Sequence, residues 1–206
     1  MRHGRLFVIA APSGAGKTSL VKALLASEPR LRLSVSHTTR KRRPTEQDGR
    51  EYHFVSVPQF EQLVARGEFL EHARVFDNFY GTSRGFVEEQ LRQGYDVILE
   101  IDWQGAQQVR RAMPQCVSIF VLPPSRRALA ERLARRATDT AQIIERRLRD
   151  AAADMSHYGE FDYVIVNDDF ARAVGDLRRI VAGRAEDLSS ARPALAPLLG
   201  DLLAPA

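Results

Sequence analysis

The stretch "VIAAPSGAGKTSL", Val8 to Leu20, decides how the chain is read. Its centre, Ala11-Pro12-Ser13-Gly14-Ala15-Gly16-Lys17-Thr18, follows the phosphate-loop pattern G-x-x-x-x-G-K-[ST], with alanine in the first position. Leu6 to Ala11 is a short apolar run and predicts a buried strand. Thr18 to Ser27 places Leu20, Val21, Leu24 and Leu25 on one helical face. In a strand, glycine loop and helix, consecutive backbone N–H groups converge on an anion, and the helix adds the positive end of its dipole. Gly14 and Gly16 allow backbone conformations that a β-carbon hinders. Lys17 is placed to reach the β- and γ-phosphates of a nucleotide, and the Thr18 hydroxyl to ligate Mg²⁺. A dinucleotide site fits poorly, because no third glycine follows Gly14-Ala15-Gly16 at the G-x-G-x-x-G spacing. The loop predicts a nucleotide and leaves the reaction open between hydrolysis and transfer to an acceptor.

The chain's 206 residues suit one α/β domain with inserted lobes. Hydrophobic residues make up 44% and charged residues 27%, as in an ordinary globular chain. A net charge of +4 is mild, and fits phosphorylated small molecules as well as nucleic acid. The single cysteine, Cys116, excludes an intrachain disulfide framework and suits a reducing cytosol; it reads as a packing residue at a strand edge. "MRHGR" before "LFVIAAP" is weighed as a leader, but a strand feeding a phosphate loop explains both halves better. No apolar run approaches the roughly 18 residues that span a bilayer. The expected location is the cytoplasm.

From Leu33 to Gly85 the character changes. "LSVSHTT", "EYHFVSV" and "FLEHARVF" read as strands, "PQFEQLVARGE" as a helix opened by Pro58, and "DNFYGTS" as a turn-rich loop. After this lobe the core resumes: helix "SRGFVEEQLRQG", strand "DVILEID", helix "WQGAQQVRRAM", strand "VSIFVLPP". A long arginine-rich helix from Ser125 to Phe161, interrupted around Ala137 to Thr140, precedes strand "YVIVND" and helix "DFARAVGDLRRIVAGRAEDL". The tail "ARPALAPLLGDLLAPA" holds a short apolar helix. Strands alternating with helices predict a parallel sheet with helices on both faces.

In "SVSHTTRKRRP", Arg40, Lys41, Arg42 and Arg43 follow hydroxyl residues. A solvated basic turn or nucleic-acid patch is one reading; a site for a phosphate monoester, bound by arginine forks, is the other. Glu71 stays open between an exposed strand residue and a carboxylate that reads a base. Such a carboxylate accepts from guanine N1–H and the 2-amino group and meets a lone pair on adenine. The five histidines, His3, His37, His53, His72 and His157, lack metal-ligand spacing and read as structural.

"SVSHTTRKRRP", "GREYHFVS", "FLEHARVFDNFYGTS", "LEIDWQGAQQVR" and "VIVNDD" together resemble the guanylate kinases, over about Gly4 to Leu188. The resemblance implies a P-loop NTPase-type parallel sheet flanked by helices, with an inserted GMP-binding lobe and an arginine-rich lid. The expected parts are a core of 4–34, 86–125 and 150–188, a lobe of 35–85, a lid of about 126–149 and a tail of 189–206. The implied reaction moves the γ-phosphoryl of ATP to GMP, with dGMP as a second acceptor and Mg²⁺ as cofactor. ATP would meet the loop from Ala11 to Thr18, with Arg132 and Asn167. GMP would meet Ser36, Arg40, Arg43, Tyr52, Glu71, Tyr80, Thr82, Glu100 and Asp102. Lys17, Arg40, Arg136 and Arg147 would carry the transfer, with Mg²⁺ held by Thr18 and, through water, Asp102. Three departures from the family pattern stand out: Ala11 in the loop, Thr45 in "RRPTEQDG", and Arg135 and Ala137 where the lid commonly has glycines. The partners implied are ATP and GMP, with no nucleic acid or membrane, in a monomer or homodimer. The competing readings are a kinase for AMP or a sugar acid, a non-catalytic scaffold module of the same fold, and a nucleic-acid binder.

Overall fold

A computed structural model describes residues 3–75, 77–134 and 141–204, with the backbone alone over 141–147. The elements in chain order are β1 (Leu6–Ala10), α1 (Lys17–Ser27), β2 (Leu31–Leu33), β3 (His37–Thr38), β4 (His53–Phe54), α2 (Val57–Ala65), β5 (Phe69–Val75), β6 (Asn78–Ser83), α3 (Arg84–Arg92), β7 (Asp96–Glu100), α4 (Trp103–Ala112), β8 (Val117–Leu122), α5 (Arg126–Ala134), α6 (Ala141–Ser156), β9 (Tyr163–Val166), α7 (Phe170–Val181) and α8 (Ala196–Leu202). The runs LFVIA of β1 and DVILE of β7 are apolar almost throughout, as strands covered on both faces must be.

The chain divides into two compact units, Met1–Val8 with Pro29–Val117, and Ile9–Glu28 with Ser118–Ala206. In the first, the strand order is β2-β7-β1, and β2 pairs with β7 in parallel. Its second sheet has the order β4-β3-β6-β5, with β3–β4 parallel and the other two pairings antiparallel. Helix α3 packs on β7, and α2 and α4 pack on β5. Side chains start these helices. Ser56 and Gln59 form a capping box on α2, and the Asp102 side chain accepts from the Gly105 N–H at the start of α4. In the second unit the order is β1-β8-β9, with β8 and β9 parallel. Here α1 packs on α7, and α7 on β9. The backbone N–H of Arg126 donates to Asp201 and its Nη1 to the Ala204 carbonyl, so α5 is tied to the segment around α8.

Two expectations are corrected. In "DNFYGTS", Asn78–Ser83 form the strand β6 rather than a loop. Its turn-forming residues are overridden by the hairpin with β5, in which Ala73 faces Tyr80 and His72 faces Gly81. Gly81 suits this position because the Phe69 ring lies 3.1 Å from where its β-carbon would stand. "LSVSHTT" is not one strand: Leu31–Leu33 joins β7, and His37–Thr38 joins the other sheet. The arginine-rich segment is described as α5 (Arg126–Ala134) and α6 (Ala141–Ser156), and the interruption expected around residues 137–140 lies outside the described residues. The strand expected through Phe76 is described to Val75.

Candidate active site

Loop 11–16 turns through two left-handed residues, Gly14 at φ 89° and Gly16 at φ 93°. Both need glycine for space as well. A β-carbon on Gly14 would stand 3.0 Å from the side chains of Leu129 and Leu133, and one on Gly16 would strike the Asn167 amide. Gly16 is the N-cap of α1 and offers no side chain to its N–H groups, as an anion-receiving helix start requires. Lys17 and Thr18 begin that helix.

The loop's backbone is held from outside. Asn167 is only 6% exposed, and its Nδ2 donates to the Ala15 carbonyl at 2.7 Å. Arg132 Nη2 donates to the Asn167 carbonyl at 2.8 Å, and its Nη1 to Ala15 at 3.4 Å. The Ala15 N–H closes a turn on the Pro12 carbonyl. Asn167 and Arg132, expected as nucleotide contacts, thus also anchor the loop. Arg136 and the side chain of Arg147 lie outside the described residues.

The other unit holds the residues expected at the acceptor. Glu71 on β5 and Thr82 on β6 face each other across the hairpin, 3% and 0% exposed. The Thr82 hydroxyl donates to Glu71 Oε1 at 2.5 Å. Asp102, capping α4, uses Oδ1 to accept from the Gly105 N–H at 2.7 Å; its Oδ2 is buried without a hydrogen-bond partner among the described residues. Glu100 ends β7, two residues before Asp102.

Arg40 lies over the ring of Tyr52, 5.2 Å from its centroid, and Tyr52 packs edge-on to Tyr80 at 5.8 Å. Burial first, then the charges of Tyr80 and Glu100, pushes the Tyr52 hydroxyl up to about 12, so it is a neutral donor at any ordinary pH. Burial opposes the charge of Arg40, but the hydrogen bond and charge of Glu46, with Tyr80 and Tyr52, leave its pKa raised. Ser36 is buried before β3, and its carbonyl accepts from the His53 N–H.

Two residues escaped the sequence reading. The Glu46 carboxylate accepts from Arg40 Nη2 at 2.7 Å and from the Arg43 backbone N–H at 2.8 Å, and lies 3.8 Å from Arg43 Nη1. It binds the two arginines into one turn, which its own N–H closes on the Arg43 carbonyl. A carboxylate three residues after an arginine pair was the available signal. The second is Gly105, a glycine inside a helix, whose β-carbon would meet Glu71. His37 lies against His53, ring centroids 4.7 Å apart and tilted by 32°, and burial lowers the His37 pKa. Among the described residues, no three His, Cys, Asp or Glu side chains gather around a metal position.

The strand–loop–helix start and the parallel strands define a P-loop nucleotide-binding protein of the α/β class. The sequence pattern of the family described as guanylate kinase matches residues 3–184. A guanylate kinase of Alkalilimnicola ehrlichii is 56% identical over 200 residues, 97% of this chain and 98% of the relative. One of Methylococcus capsulatus is 56% identical over 203 residues, 98% of this chain and all of the relative. The crystal structure of guanylate kinase from Anaplasma phagocytophilum superposes with a TM-score of 0.73 at 35% identity, covering 97% of this chain and 95% of that one. The chain belongs to the guanylate kinase family.

Proposed function

We propose that this chain moves the γ-phosphoryl of ATP to GMP, with dGMP as a second acceptor, through the residues assembled above. The buried Glu71–Thr82 pair carries this reading. An ionised carboxylate is an acceptor only, so it pairs with guanine N1–H and the 2-amino group and is left unpaired against adenine. Asp102 Oδ2 is a second acceptor of the same kind. Arg40 and Arg43 suit the dianionic phosphate of the acceptor, with the neutral Tyr52 hydroxyl and Tyr80 as further donors. Ser36 and Glu100 complete the lobe of 35–85 and its border.

On the donor side, the N–H groups of loop 11–16 and Lys17 hold the ATP phosphates, and Arg132 and Asn167 border the nucleotide. No general base is needed, because the second ionisation of a phosphate monoester lies near pH 6 and the attacking oxygen is already anionic. Transfer then rests on in-line placement and on cations around the moving group. Lys17 is one of these, and Arg136 and Arg147 of the lid at about 126–149 are proposed as the others.

Magnesium suits the donor atoms present: the Thr18 hydroxyl, and, through water, the Asp102 carboxylate with its unpartnered Oδ2, are hard oxygens. When bound, the ion neutralises β- and γ-phosphate oxygens. No helix among the described residues is long and apolar enough to cross a membrane, and a cytoplasmic site of action is proposed.

The test is ADP formation from ATP across GMP, AMP, CMP and UMP. GMP should exceed the others in kcat/KM by at least about 10²-fold. Equal rates with AMP would overturn the assignment of the lobe.

A further inference from the structure

Gly105 occupies the first turn of α4, where glycine weakens a helix relative to alanine. No left-handed backbone requires it: the glycines at positive φ are Gly14, Gly16, Gly49, Gly67, Gly94 and Gly183. Space does. A β-carbon at Gly105 would stand 2.5 Å from Glu71 Oε2, 3.1 Å from Glu71 Cδ and 3.4 Å from Asp102 Oδ1. The vacant methyl position therefore lies against both carboxylates assigned to the base.

The helix cannot easily back away to make room. One turn further on, Gln108 clasps the residue next to Glu71. The His72 N–H donates to Gln108 Oε1 at 3.1 Å, and Gln108 Nε2 donates to the His72 carbonyl at 2.8 Å. This two-point clasp holds α4 to β5 at the depth where Gly105 meets Glu71. A side chain added at 105 would displace the flexible end of Glu71 rather than the backbone. Glu71 Oε1 is held by Thr82, so displacement of the carboxylate strains that bond too.

We infer that Gly105 is a specificity-determining positioning residue, whose missing side chain seats the Glu71 carboxylate against α4 and so fixes where guanine's donors are met. This rests on the reading of the lobe as a guanine site. Gly105→Ala should gain helix propensity while losing base discrimination, so folding and selectivity part company.

The experiment measures GMP, IMP and AMP as acceptors, the KM for ATP, and the thermal midpoint, in wild type, Gly105→Ala, Glu71→Gln and the double variant. IMP keeps N1–H but lacks the 2-amino group. Gly105→Ala should raise the GMP KM about tenfold or more and narrow the GMP-over-IMP preference, with the ATP KM unchanged and the midpoint within a few degrees of wild type. In the Glu71→Gln background the same substitution should have little further effect, because the glycine acts through that carboxylate. Unchanged GMP KM and base preference in Gly105→Ala overturn the inference, as does an equal effect in both backgrounds. Loss of the fold in both backgrounds also overturns it, since the glycine would then be a packing requirement. A wild type that does not prefer GMP to AMP defeats instead the reading of the lobe.

Discussion

The two units hold the groups proposed for the phosphoryl donor and for the acceptor by different means. Around loop 11–16 the proposed binding surface is backbone, and the side chains that support it, Asn167 and Arg132, bond to main-chain carbonyls. In the acceptor unit, side chains hold other side chains: Thr82 holds Glu71, and Glu46 holds Arg40. Backbone N–H groups are identical along any chain, so they recognise phosphate and ignore the base attached to it. Paired side chains have shape and sign, so they can refuse a base that leaves them unpaired. Damage around loop 11–16 should therefore fall on turnover and ATP, and damage around Glu71 and Arg40 on the choice and capture of the acceptor.

The sharpest break is Lys17→Ala. With one cation removed from the transferring group, kcat should fall by about 10³-fold or more while circular dichroism and GMP binding stay near wild type. Near-normal turnover would remove the loop from the chemistry. Next is Glu71→Gln, which replaces one acceptor oxygen by a donor. The preference for GMP over AMP should fall about 10²-fold, with the ATP KM unaltered. An effect shared equally by ATP would erase the contrast between the units.

Glu46→Gln should be milder, raising the GMP KM about tenfold with kcat largely kept, because Arg40 remains but is less firmly aimed. It also has a pH signature. The hydrogen bond from Arg40, opposed by burial and aided by the Arg43 N–H, holds the Glu46 carboxyl below its ordinary range. Stability from such a depressed carboxyl is whole above its unfolded-state pKa, roughly 4.3, and is lost as pH falls through the lower folded value. The urea midpoints of wild type and Glu46→Gln should differ most above that pH and converge in stronger acid. A gap that widens on acidification would contradict the pairing. The smallest effect is expected of Asn167→Ala. The Ala15 carbonyl loses its nearer donor but keeps Arg132, so the ATP KM should rise several-fold at a stability loss of about 1 kcal/mol. A changed GMP preference in this variant would show that the two units do not divide the work as proposed.

Sequence showed most where the physics is local. Loop 11–16 announces itself because its glycines, lysine and flanking strand and helix are consecutive. The helix start at Pro58 was legible for the same reason. β6 was not: Asn78 and Gly81 favour turns, and only pairing with β5 overrides them. Burial of Glu71 depends on α4 and β6, so its sequence neighbours could not distinguish a buried carboxylate from an exposed one. Glu46 and Gly105 were hidden differently. One acts through arginines folded back upon it, the other through an atom it lacks. The link from Asn167 to Ala15 spans 152 positions and has no local signature.

That span also sets a timetable during synthesis. The phosphate loop is made before the residue that holds its Ala15 carbonyl, which follows 152 positions later. At about 5–20 residues per second, the loop waits roughly 8–30 s for its anchor. Over that interval the growing chain has its most recognisable motif in place without the partner that fixes its shape, so nucleotide can assist folding of the loop fully only once Asn167 has been made.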